Sequence, residues 1–257
     1  MAVKSEKVVQ VMKKVIFYLI LASLLSGIAF SEEAAQPYGT DYEEGTVITF
    51  GSYEQDNDLS NGQEPIEWIV IDKHVDGSLV LMSKYALDVK PYNEDRVSVT
   101  WETSTLRKWL NENFYNAAFS AWEQAKIVPV TLENEDNPSF GTKGGNATED
   151  SVWLLSINEV TDIYSKDKVY SWLTDNDSRI CYPTAYAVAQ RAHNGYGACW
   201  WWLRSPGDYS KNAALVFSDG LVFSRGDRVD NGGIANFDGY SIISDGFGVR
   251  PVVVVLP

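Results

Sequence analysis

Side chains suited to metal or nucleophilic chemistry are scarce: the 257 residues include two histidines and two cysteines. His74 and His193 alone cannot supply a three-histidine iron site. There is no Gly-x-Ser-x-Gly elbow, which removes the usual serine hydrolase arrangement. Basic residues are few as well, 21 Lys and Arg against 35 Asp and Glu, for a formal charge of -14. Such a surface repels phosphate backbones and anionic lipid headgroups, so nucleic acid is excluded as a partner. No internal repeat is present. Long apolar runs are confined to the N-terminus and to two short stretches near the C-terminus.

What the chain does have is apolar and aromatic content, 45% and 13%. That is enough to bury a core over most of the length. At the N-terminus, Lys13 and Lys14 precede the apolar run Val15 to Leu25, and Ala29-Phe30-Ser31 offers small residues for cleavage. Residues 1–31 therefore read as an export signal, with Met12 an alternative start. The rival is an uncleaved anchor. Ser23, Ser26 and Gly27 interrupt the run short of the roughly 20 residues a span needs. The expected product is exported, meeting a membrane only transiently through that segment. Cys181 and Cys199 then form a disulfide or are two separate small buried residues.

Residues 32–45 read as an acidic linker and 46–257 as one α+β domain. Thr46–Gly51 alternates as a strand. Ile66–Ile71 and Ser78–Ser83 form a hairpin across Asp76-Gly77. Between the first two strands, Asp56, Asp58, Ser60 and Glu67 fall at positions one, three, five and twelve of a calcium loop. Position six is Asn61 instead of glycine, and Glu67 lies in a strand, so a solvated loop is the reading. Leu106, Trp109, Leu110 and Phe114 have helical spacing behind a Ser104 or Thr103 cap. A second helix follows over 119–127 and a strand over 128–132. A polar excursion at 134–150 precedes a buried strand at 152–155. Ser156 and Glu159 have capping-box spacing for a helix to about Tyr164. Another helix begins at Pro183. Ala213–Phe217 and Leu221–Phe223 flank the turn Ser218-Asp219-Gly220.

Two runs organise the rest, Trp200-Trp201-Trp202-Leu203-Arg204-Ser205-Pro206-Gly207 and Gly248-Val249-Arg250-Pro251-Val252 to Val255. Neither alternates with polar residues, so each predicts a strand buried on both faces that ends at its arginine. The two are expected to form the centre of a sheet, with the polar segment between them displayed. With Asn212-Ala213-Ala214, Ser218-Asp219-Gly220, Ile48 to Tyr53, Ile66-Glu67-Trp68, Leu106 to Asn111 and Leu154-Leu155-Ser156, these motifs resemble a family of exported bacterial domains of unknown function. That family is similar to the C-type-lectin-like fold, also used by formylglycine-generating enzymes and retroelement variable binding proteins. The resemblance implies a short mixed or antiparallel sheet, several short helices, long loops, adjacent termini and a displayed loop face. It does not imply sugar binding, since the tripeptides Glu-Pro-Asn and Trp-Asn-Asp are absent. A formylglycine-type copper site also fails, because Cys181 and Cys199 lie far apart and before the signature.

The candidate ligand-binding residues are Tyr209, Lys211, Asn212, Arg225, Arg228, Asn231, Asn236 and Tyr240, amides, cations and aromatics on glycine-rich backbone. Trp202, Arg204, Pro206, Gly248 and Arg250 are assigned structural roles. The arginines are expected to be satisfied internally rather than to clamp an anion. No resident cofactor is expected, although Asp227, Asp230, Asp238 and Asp245 are candidate calcium ligands. The functional expectation is a non-catalytic, exported binding or display module for a glycan or protein. The alternatives are a cell-surface hydrolase using two carboxylates and a structural envelope domain.

Overall fold

Along β1 (Val47–Tyr53), the side chains of 47–50 alternate between solvent and interior, as a half-buried strand requires. The computed structural model describes residues 42–161, 170–192, 197–232 and 246–257, and the backbone of 194–195, 234–237 and 240–243. All lie within the unit Gly39–Pro257. The signal at 1–31, linker residues 32–41, the helix end at Tyr164, His193, Asp238 and Asp245 lie outside the described residues.

β1 pairs antiparallel with β2 (Glu64–Lys73), and β2 with β3 (Leu79–Ser83). The turn between β2 and β3 is the expected one, with Gly77 at φ 87°. β4 (Asp88–Val89) follows. Ser104 then caps α1 (Thr105–Trp109) by accepting from Arg107 N at 3.1 Å. The helix widens to a π turn at Leu110–Phe114 and resumes as α2 (Tyr115–Ala118). α3 (Ala121–Gln124) starts at a Ser120–Glu123 capping box. It is shorter than the helix expected over 119–127. β5 (Val130–Leu132) pairs with β6 (Thr148–Asp150). The strand expected at 152–155 is buried, but among the described residues it is tied into a sheet only by the Trp153–Val252 bridge.

The capping box at Ser156 opens α4 (Ile157–Val160). α5 (Asn176–Arg179) is next, and α6 (Ala185–Ala189) is capped by Thr184. Pro183 therefore lies one residue before the cap, not at the helix start. β7 (Asn194–Gly195) pairs with β8 (Ala198–Cys199). Cys181 and Cys199 oppose each other across an antiparallel bridge, as buried free thiols. β9 (Trp201–Pro206) is buried at every position. β10 (Asn212–Val216) and β11 (Val222–Arg228) form the expected hairpin. β12 (Ile234–Phe237) pairs with β13 (Tyr240–Ile243). β14 (Gly248–Val249) and β15 (Val252–Val255) end the chain.

The protein is α+β, mostly strand with a few short helices. Its two larger sheets run β1-β2-β3-β15 and β11-β10-β9-β14-β4. Two corrections concern the apolar runs. Arg204 does not end its strand: β9 continues through Pro206. The C-terminal run does not stay in one sheet. β14 lies beside β9, but β15 crosses to pair with β3. Pro251, which has no N–H to give a ladder, marks the crossing. β1 and β15 lie at opposite edges of one sheet, with β2 and β3 between them.

Candidate functional site

Arg204 brings a charge into the apolar interior, and the fold encloses it. Nη1 donates to Leu154 O at 3.1 Å and to Glu159, and Nη2 to Glu133 O at 3.2 Å. Tyr92 Oη donates to Arg204 O at 2.7 Å. Arg250, 1% exposed, donates through Nε to Ser83 O at 3.0 Å and lies over the Trp201 ring at 5.1 Å. Trp202 is buried, with its indole N–H on Lys90 O at 3.0 Å. Gly248 is required by space, since a Cβ there would meet Ala86 Cβ at 2.6 Å. These residues build the frame.

The frame ends at Pro206-Gly207, where the chain turns outward. A Cβ on Gly207 would meet Arg225 O at 2.4 Å, so only glycine lets β11 approach this closely. Asn137 locks the turn from the other side. Its Nδ2 donates to Pro206 O and Ser224 O, both at 2.7 Å. Its Oδ1 accepts from Ser139 N at 2.9 Å and Phe140 N at 3.2 Å. Val99 N donates to Ser210 O at 2.9 Å, fastening a third segment alongside.

These three segments line a groove of about 550 Å³ with Ser98, Val99, Thr100, Thr103, Gly141, Thr142, Lys143, Asp208, Tyr209 and Ser210. Tyr209 is 57% exposed on its wall. Phe140 lies just outside, under Arg225, whose guanidinium is 5.4 Å from the ring centre. Asp208 holds the rim: Arg225 Nη1 donates to Oδ2 at 3.1 Å and Asn212 Nδ2 to Oδ1 at 2.9 Å.

The structure gathers six of the eight sequence candidates at the open end of the β10–β11 hairpin. Asn212 faces Arg228 across the ladder, Lys211 O accepts from Val229 N, and Asn231 N donates to Arg228 O. Of these six, Tyr209 alone lines the groove itself. The side chains of Asn236 and Tyr240 lie outside the described residues; their backbones belong to β12 and β13. Of the described residues in 226–240, 226–228 belong to β11, 234–237 to β12 and Tyr240 to β13. Arg228 is committed to a two-point ion pair with Asp230, Nε to Oδ1 at 3.0 Å and Nη2 to Oδ2 at 2.5 Å. That hydrogen bond holds the Asp230 carboxyl below the usual range. Among the described residues, Asp227 and Asp230 belong to no group of metal-ligand donors. Sequence reasoning missed Ser98–Thr103, Asn137 and Phe140. Asn137-Pro138 was the available signal, because Asn-Pro initiates turns.

No curated protein and no solved structure matches the chain. Residues 76–257 match the family described as Domain of unknown function (DUF6273), and the chain belongs to that family.

Proposed function

We propose that this protein is an exported, non-catalytic binding module with a C-type-lectin-like fold, and that the groove beside Tyr209 takes a glycan. The observation that carries this reading is the half-exposed Tyr209 ring on a groove edged by the hydroxyl-bearing residues Ser98, Thr100, Thr103, Thr142 and Ser210. An aromatic face offers apolar area at low conformational cost, and hydroxyls offer adaptable hydrogen bonds. The volume falls within the range of small-ligand pockets. Arg225 and Asp208 neutralise each other at the rim, which suits an uncharged ligand better than an anion.

The test is a glycan array followed by calorimetry on the hits. Tyr209→Ala is expected to weaken binding at least about tenfold, the scale of one lost stacking contact, with the unfolding temperature unchanged. Equal binding by parent and variant, or retention of protein ligands alone, would reject the glycan reading.

A further inference from the structure

The turn from β1 to β2 gathers acid without base. One carboxylate oxygen from each of Glu54, Asp56 and Glu64 lies within 4.8 Å of the others. Glu54 is 7% exposed, and its Oε1 is buried with no hydrogen-bond partner among the described residues. No lysine or arginine among the described residues forms an ion pair with any of the three. A buried anion left this way is strongly unfavourable.

The other two acids are held in place by local donors. Gln55 N and Asp56 N donate to Glu64 Oε2 at 2.7 and 3.3 Å. Asp58 N and Asn61 Nδ2 donate to Asp56 Oδ1 and Oδ2 at 2.7 and 2.8 Å. Asn57 takes a left-handed φ of 66°, which turns the chain back over the cluster. Burial raises the Glu54 carboxyl above the usual range against a hydrogen bond from the Asn57 backbone, and the neighbouring Glu64 and Asp56 add to the rise.

We propose that Glu54, Asp56 and Glu64 bind one calcium ion. Calcium takes oxygen ligands at about 2.3–2.6 Å, so opposite ligands are about 4.6–5.2 Å apart. The spread of the three oxygens fits within that sphere. Magnesium would demand a tighter octahedron of about 2.0–2.1 Å and sheds water reluctantly. This is not the twelve-residue loop register of the sequence: Asp58, Ser60 and Glu67 are replaced by Glu54 and Glu64. The ion would also brace α6, because Tyr186 N donates to Gln55 O at 2.9 Å. The site lies upstream of the family match and is independent of the groove.

The experiment is calorimetric titration of the chelator-treated full chain with calcium chloride, beside thermal melts in calcium, magnesium and chelator. One calcium per chain is expected, with a raised unfolding temperature that magnesium reproduces only weakly. Glu54→Gln should lower calcium affinity at least about tenfold, as a charged ligand is lost, while its metal-free unfolding temperature equals or exceeds that of the parent. Asp56→Asn keeps one of the two turn acceptors, the Oδ1 that takes Asp58 N, and should show the same loss. The proposal is overturned by no heat and no melting shift at about 10 mM calcium, well above the range of weak extracellular sites. It is equally overturned if both variants keep parental affinity, or if Asp230→Asn alone abolishes binding.

Discussion

Arg204 and Glu159 illustrate how a single buried charge is tolerated. The guanidinium is 2% exposed at its side chain and spends its Nη1 and Nη2 donors on Glu159 and the carbonyls of Leu154 and Glu133, while its buried Nε has no hydrogen-bond partner among the described residues. Removing one partner strands the other. Arg204→Met is expected to lose about 3–5 kcal/mol, read as a lower urea midpoint, and adding Glu159→Gln should restore part of it. Glu54 behaves in the opposite sense. Its carboxyl is raised in the folded protein, by burial first and then by Glu64 and Asp56. The folded state therefore holds its proton more tightly than the unfolded chain. The resulting penalty is absent below the unfolded pKa of about 4.3 and grows as pH rises through the folded value. In chelator, Glu54→Gln should melt above the parent at about pH 7 and level with it at about pH 4, a comparison made by paired thermal melts.

At the scale of elements, short pieces are held by side chains more than by their own length. α3 has four residues and relies on its capping box, in which Ser120 Oγ accepts from Glu123 N at 3.3 Å and Glu123 Oε2 accepts from Ser120 N at 2.7 Å. Ser120→Ala should lose about 1 kcal/mol in denaturant titration. The 137–143 loop depends on Asn137, 1% exposed and bonded through both ends of its amide. Asn137→Ala should lose about 1–3 kcal/mol and speed hydrogen exchange at the Ser139 and Phe140 amides. Asp150 plays the same part under α1, accepting from Trp101 Nε1 at 2.9 Å and from Arg107 Nε and Thr148 Oγ1 at 2.6 and 2.9 Å. The spacing of Leu106, Trp109, Leu110 and Phe114 displayed the helix, but not the π turn that Leu110–Phe114 adopts.

Across the whole molecule, the last ten residues join the two larger sheets. β14 completes contact between β9 and β4, and directly after Arg250-Pro251 β15 closes the edge of β3. β3 lies between β2 and β15, so losing either uncovers an apolar edge. A chain starting at residue 76, where the family match begins, lacks β1 and all of β2. It is expected to show no cooperative unfolding transition by circular dichroism and to aggregate.

Local pattern was enough for the α+β class, both hairpins, the Ser104 cap, the Ser156 box and the burial of Trp201 and Trp202, because periodicity and capping depend on residues a few positions apart. It was also enough to expect that Arg204 and Arg250 would find partners inside the fold, as both do, although Arg204 Nε is left without one among the described residues. The partners of those arginines, the split of the C-terminal run between two sheets, the groove of 98–103, 141–143 and 208–210, and the meeting of Glu54 with Glu64 came from the folded chain alone. Each depends on segments brought together by β pairing or by a single side chain such as Asn137, and no short-range spacing encodes which distant segment arrives.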